Sequence, residues 1–78
     1  MVRVPSWEDF HGSYNGSDWN RVLESLKAAV VAGFRRAGLV AVVEFVNGAG
    51  GEKAYQNVKV GSRAKTGTRV HIHIPVYD

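Results

Sequence analysis

The sequence predicts an α+β domain in which one amphipathic helix packs on a three-stranded antiparallel sheet, in the order α-β-β-β, behind an N-terminal arm. Three observations carry this. One stretch repeats apolar residues at three- and four-residue steps, later stretches alternate β-branched and aromatic residues with polar ones, and glycine-rich polar segments separate them. At 78 residues the chain is sized for one core and no second domain. The expected division is an arm over 1–17 and a single α+β domain over 18–78.

The arm, MVRVPSWEDFHGSYNGS, mixes aromatics with Gly, Ser and Asn and has no sustained period. A short extended piece is expected at Val2 to Val4, with Trp7 and Phe10 tying the arm to the body by burying their rings. An arm that folds onto a partner has the same composition.

In SDWNRVLESLKAAVVAGFRRAGL, Ser17 or Asp18 can cap the first free amides of a helix running from about Asp18 to Ala37. Trp19, Val22, Leu23, Leu26, Val30, Phe34 and Ala37 draw its apolar stripe. Gly38 stands where a left-handed cap belongs, and Arg35 and Arg36 suit the negative end of the helix dipole.

LVAVVEFVN then reads as a strand, and NGAGGE as a hairpin loop whose glycines supply positive-φ positions. KAYQNVKVG is expected to be a second long strand, SRAKTGT a polar basic loop, and TRVHIHIPVYD a third strand. Pro75 has no N–H for a ladder, which places that strand at an edge, at least near its end. The face under the helix takes Leu39, Ala41, Val43 and Phe45, then Val58 and Val60, then Val70, Ile72, Ile74 and Val76. The uncovered face takes Val40, Val42, Glu44 and Val46, then Tyr55, Asn57 and Lys59, then His71, His73 and Tyr77. The loop lengths set Lys59 across from His71, Asn57 across from His73, and Glu44 close to Tyr55.

Composition narrows the chemistry. There are no cysteines, which removes disulfides, thiolate zinc sites and cysteine catalysis. Ten Lys and Arg against seven Asp and Glu give a net charge of +3, a mild positive field that favours acidic partners weakly. The most apolar run is interrupted by Arg35 and Arg36, which argues against a membrane span. MVRVPSWEDF lacks the long apolar segment of a secretory signal, so a cytoplasmic protein is expected.

The leading expectation is a non-catalytic module that contacts nucleic acid. Tyr55 and Tyr77 can stack on bases, His71 and His73 can stack or hydrogen-bond, Lys59, Arg63, Lys65 and Arg69 can meet phosphates, and Asn57 belongs to the same binding patch. A second reading makes the face a protein interface, because Val40, Val42 and Val46 leave an apolar stretch beside aromatics. That reading covers a homodimer, or a small inhibitor or assembly factor of the phage-encoded kind acting on a nucleoprotein complex. A third is metal-independent RNA cleavage, with Glu44 or one histidine as base, the other histidine as acid, and Lys59 or Arg63 on the phosphate. His-x-His supplies two imidazoles, too few for a metal site unless His11, Glu44 or Asp78 joins. No cofactor or metal is expected. NGAGGEK lacks the GK[ST] ending of a phosphate-binding loop, and Arg35–Arg36 reads as a helix-end charge pair.

Overall fold

The helix α1 spans Trp19–Arg36 and ends on Gly38, whose φ of +86° is left-handed. The Gly38 N–H donates to the Arg35 carbonyl (3.0 Å) and the Leu39 N–H to the Phe34 carbonyl (2.9 Å). These are the two bonds of a Schellman cap, and the accompanying apolar contact is Phe34 with Leu39, both buried. The cap fixes the angle at which the chain leaves the helix for the first long strand. The computed structural model describes residues 1–10, 19–48, 50–51 and 53–76. The expected capping residues Ser17 and Asp18 therefore lie outside the described residues, as do His11, Tyr77 and Asp78.

Among the described residues five strands accompany the helix: β1 (Val2–Arg3), β2 (Val40–Asn47), β3 (Tyr55–Gln56), β4 (Arg63–Ala64) and β5 (Arg69–Val76). The α+β class holds, but the main sheet is mixed rather than an antiparallel meander. Its order is β2-β5-β3, with β5 parallel to β2 and antiparallel to β3. β2 and β5 pair along their full lengths, from Val40 with Arg69 to Asn47 with Val76. Parallel neighbours need a crossover of a dozen or more residues, and the chain from Gly48 to Thr68 is spent on it. That demand shortens the expected second long strand to Tyr55–Gln56. The NGAGGE turn, with Gly51 at φ +83°, does not fold the chain back beside β2; it leads to the far side of β5.

The expected SRAKTGT loop is partly a strand. Arg63–Ala64 pair antiparallel with Val2–Arg3 of the arm in a separate two-stranded sheet. The Val4 N–H donates to the Ser62 carbonyl (2.8 Å) and the Gly61 N–H to the Val4 carbonyl (2.8 Å). Val4 and Ala64 consequently enter the core. Val60, expected under the helix, is 48% exposed because the chain turns at Val60–Gly61, while Val58 packs against the core.

The core is Leu26, Val30 and Phe34 of α1 over Leu39, Ala41, Val43, Val70, Ile72 and Ile74, closed by Val4 and Ala64. Val22, Leu23 and Ala37 of the expected stripe are half-buried. Trp7–Phe10 form one 3₁₀ turn, and the Phe10 ring meets Phe34 edge-on at 5.8 Å. Phe10 lies directly on Gly33, where a Cβ would collide with its ring. A glycine in mid-helix is thus the seat of the arm's aromatic anchor.

β5 is the central strand of the main sheet where β3 flanks it at Ile72 and His73, so the expected edge position fails for the strand as a whole and holds only near its end at Pro75. The His71 N–H and C=O both face β3, and backbone groups alternate sides along a strand. Pro75, four residues on, therefore turns its nitrogen to the β3 side, beyond Tyr55 where β3 has ended, and costs no ladder bond.

Ile72→Ala should lower stability by about 2–5 kcal/mol through cavity formation, whereas His71→Ala, on the uncovered face, should cost far less; denaturant midpoints check the order. Gly33→Ala should destabilise by roughly 1–3 kcal/mol through overpacking against Phe10. In a Phe10→Ala background the same change should stabilise by up to about 1 kcal/mol, the ordinary gain of Ala over Gly in a helix. Thermal melts of the four proteins read out that change of sign.

Candidate functional site

The face of the main sheet turned away from α1 is built by alternation. Buried Val70, Ile72 and Ile74 face the helix, so Arg69, His71 and His73 face away, and the same parity turns Val40, Val42 and Glu44 outward on β2. Val40 and Val42 are exposed large apolar side chains, and Tyr55, on the short strand β3, is 57% exposed.

β5 is central, so His73 has a neighbour on each side. Parallel pairing sets Glu44 beside it and antiparallel pairing sets Tyr55 beside it. The His73 Nε2 lies 3.4 Å from a Glu44 carboxylate oxygen, and the two side chains are 41% and 66% exposed. On the other side the Tyr55 and His73 rings meet edge-on at 5.9 Å. Glu44 and Tyr55, expected side by side, are therefore separated by β5. Across the three strands the spatial order Glu44, His73, Tyr55 sets a carboxylate, an imidazole and a phenol in one row.

The register on the β3 side differs by two residues from the one expected. Asn57, not Lys59, stands across from His71: its N–H donates to the His71 carbonyl (3.1 Å) and its side-chain oxygen accepts the His71 N–H (2.8 Å). A slip of two preserves the alternation, so Tyr55 stays on its expected face. It also commits the Asn57 amide oxygen to the ladder. Lys59 leaves the row. Its carbonyl accepts the Ser62 N–H and hydroxyl in a turn, and its side chain lines a cleft with Trp7, Glu8, Tyr55 and Gln56. Trp7 packs against the core as the expected anchor and also lines the cleft that Tyr55 lines. Gln56 donates to the Pro5 carbonyl (2.9 Å), which holds the arm against β3, and its Oε1 is buried with no partner among the described residues.

Arg63 lies directly opposite Arg3 on the two-stranded ribbon, with both side chains exposed. Lys65 opens a turn in which the Thr68 N–H and hydroxyl donate to its carbonyl. The Gly67 N–H donates to the Gly38 carbonyl (2.7 Å), and Val2 and Thr66 close over Gly38. These links bring Arg35 and Arg36 at the helix end to the same pole as Arg3, Arg63, Lys65 and Arg69. Sequence spacing hides that cluster because its members come from three distant segments. Among the described residues, Glu44 with His73 is the one contact within 4.0 Å between a carboxylate and a basic side chain, and none of these six cations has such a carboxylate.

Among the described residues no group of three His, Asp or Glu side chains converges for a metal ion, and no helix is long and apolar enough to cross a membrane. Comparison of the chain with protein-family models, with curated proteins and with solved structures finds no match.

Because both partners are well exposed, a double-mutant cycle over Glu44→Gln and His73→Ala should give a coupling below about 1 kcal/mol. A larger coupling, measured by denaturant unfolding, would mean that the pair is shielded from solvent.

Proposed function

We propose that this chain is a small, cytoplasmic, non-catalytic binding module that contacts nucleic acid through the uncovered sheet face and the basic segment of Arg63, Lys65 and Arg69. The observation that carries the reading is the exposed Tyr55–His73 ring pair on the same face as His71 and Arg69. Rings displayed on an open sheet are stacking platforms for unpaired bases, and cations beside them neutralise the phosphates that follow. Arg3 and Arg36 extend the positive pole, and with no carboxylate against them among the described residues their charge is available to a polyanion. The cleft shared by Trp7, Tyr55 and Lys59 offers a second aromatic next to the first.

A specific contact favours RNA cleavage as the second reading. Glu44 set against His73, with His71 two residues away on the same strand, puts a base and an acid on one surface. In that chemistry Glu44 or one imidazole takes the 2′-hydroxyl proton, the oxygen attacks phosphorus, and the other imidazole protonates the departing 5′-oxygen. Arg69, on the same face, is then better placed to steady the phosphorane than Lys59, which lies in the cleft.

Titration of labelled single- and double-stranded RNA and DNA at low salt tests both readings. Binding should be weak and salt-sensitive, with a slope of roughly 0.7 to 0.9 per phosphate contacted. Arg63→Ala with Lys65→Ala should reduce both affinity and slope, whereas Tyr55→Ala should cost about 1–3 kcal/mol with little change of slope. Absence of binding to all four sinks the proposal and favours a protein or nucleoprotein partner. Shortening of the RNA that is unaffected by chelator and lost in His71→Ala and His73→Ala would favour the nuclease.

A further inference from the structure

Among the described residues the outer edge of β2 is open. The Val40 N–H donates to the Thr68 carbonyl (3.0 Å) and the Gly48 N–H to the Val76 carbonyl (2.8 Å). Even-numbered residues of β2 therefore direct their backbone groups at β5, and Ala41, Val43 and Phe45 direct theirs outward. β2 has β5 as its strand neighbour, and among the described residues nothing accepts a hydrogen bond from those three amides. Ala41 and Val43 are nonetheless buried on the side-chain face, and Phe45 packs against the core. An eight-residue strand, VAVVEFVN, paired in unbroken register and free of Pro and Lys, is a template for a further strand.

The helix flank above that edge is unfilled too. Phe10 rests on Gly33, and the arm reaches β3 through Pro5 and Gln56, so the Gly33 flank faces the β3 side. Val31 lies about 160° around the helix from Gly33. A shallow groove with Ala28, Val31 and Ala32 at its centre runs along that opposite flank, with Glu24 toward one end and Arg35 toward the other.

We propose that the chain forms a twofold dimer in which β2 pairs antiparallel with β2 of a second copy, centred on Val43, with the Ala28–Val31–Ala32 flanks of the two helices meeting above the joined sheet. This register sets Val43 against the partner's Val43, Ala41 against the partner's Phe45, Val40 against the partner's Val46 and Val42 against the partner's Glu44. All three outward amides and carbonyls of each copy then pair, giving about six interchain hydrogen bonds. Centring on Glu44 would oppose two carboxylates, which destabilises a sheet. Centring on Val42 would set Phe45 against the partner's Leu39, whose N–H is already given to the Phe34 carbonyl. The axis stands normal to the sheet, so the helices run antiparallel on one side and Glu24 of each copy meets the partner's Arg35. The two uncovered faces become one surface on the other side, and the dimer stands whether or not that surface binds nucleic acid.

Sedimentation or light scattering over a range of concentrations, with hydrogen exchange at the same concentrations, tests the dimer. The wild type should associate, and the amides of Ala41, Val43 and Phe45 should gain protection as it does. Val42→Glu opposes the partner's Glu44 twice per dimer and should raise the dissociation constant about tenfold or more. Val42→Lys faces the same carboxylate with opposite charge and should match the wild type or tighten the dimer. Val42 is exposed, so circular dichroism should show both variants folded. Glu24→Arg and Arg35→Glu should each weaken the dimer singly and restore it together. A wild type monomeric at the highest attainable concentration, or equal effects of Glu and Lys at position 42, overturns the proposal.

Discussion

Everything else in this fold follows from the parallel pairing of β2 with β5. Two eight-residue strands running the same way cannot be joined by a tight turn, so the chain between them must travel the length of the sheet and return. That journey is made by a segment with little regular structure of its own. It is stabilised piecewise: two residues on β5, a turn with Gly61 at φ +84°, two residues on the arm, and a final turn hydrogen-bonded to the Gly38 carbonyl. The arm is thereby part of the fold. Val4 is almost wholly buried, and burying a side chain of that size stabilises by about 1.5–3 kcal/mol.

The same pairing composes the candidate site. A central β5 gives His73 two flanking strands, so a carboxylate and a phenol reach it from opposite sides. An edge β5 would have given it only one. The pairing also turns the two long strands into a sheet with unequal borders. On one side, β3 and the arm cover β5 briefly and leave an aromatic cleft; on the other, β2 presents an unpaired backbone over most of its length. The uncovered face and the open edge are thus separate surfaces, one rich in rings and cations, the other in valines and amides.

The basic pole arises from closure rather than from composition. A net charge of +3 is small for this length, yet the helix cap, the arm and the last turn converge on Gly38 and collect arginines from each. Arg3 and Arg63 stand directly opposite on the ribbon, an arrangement that like charges disfavour. The cost is tolerable because both are exposed to water, and it is offset by burying Val4 and Ala64 beneath them.

What the sequence determined by itself is whatever depends on local period. The helix, its glycine cap and the inward faces of β2 and β5 were legible because 3.6-residue and two-residue repeats are properties of single segments. For the same reason His71, His73 and Tyr55 could be assigned to the uncovered face: parity survives a register error of two, which is the error made at Asn57. Only the tertiary structure decided strand direction and order, because a two-residue alternation is identical in parallel and antiparallel sheets, and a glycine-rich turn does not say on which side of its neighbours the chain comes back. Lys59 and Arg63 moved for that reason. Their surroundings are set by contacts with segments some fifty residues away, such as the hydrogen bond from Gln56 to Pro5, and no pattern within their own stretch of chain encodes those contacts.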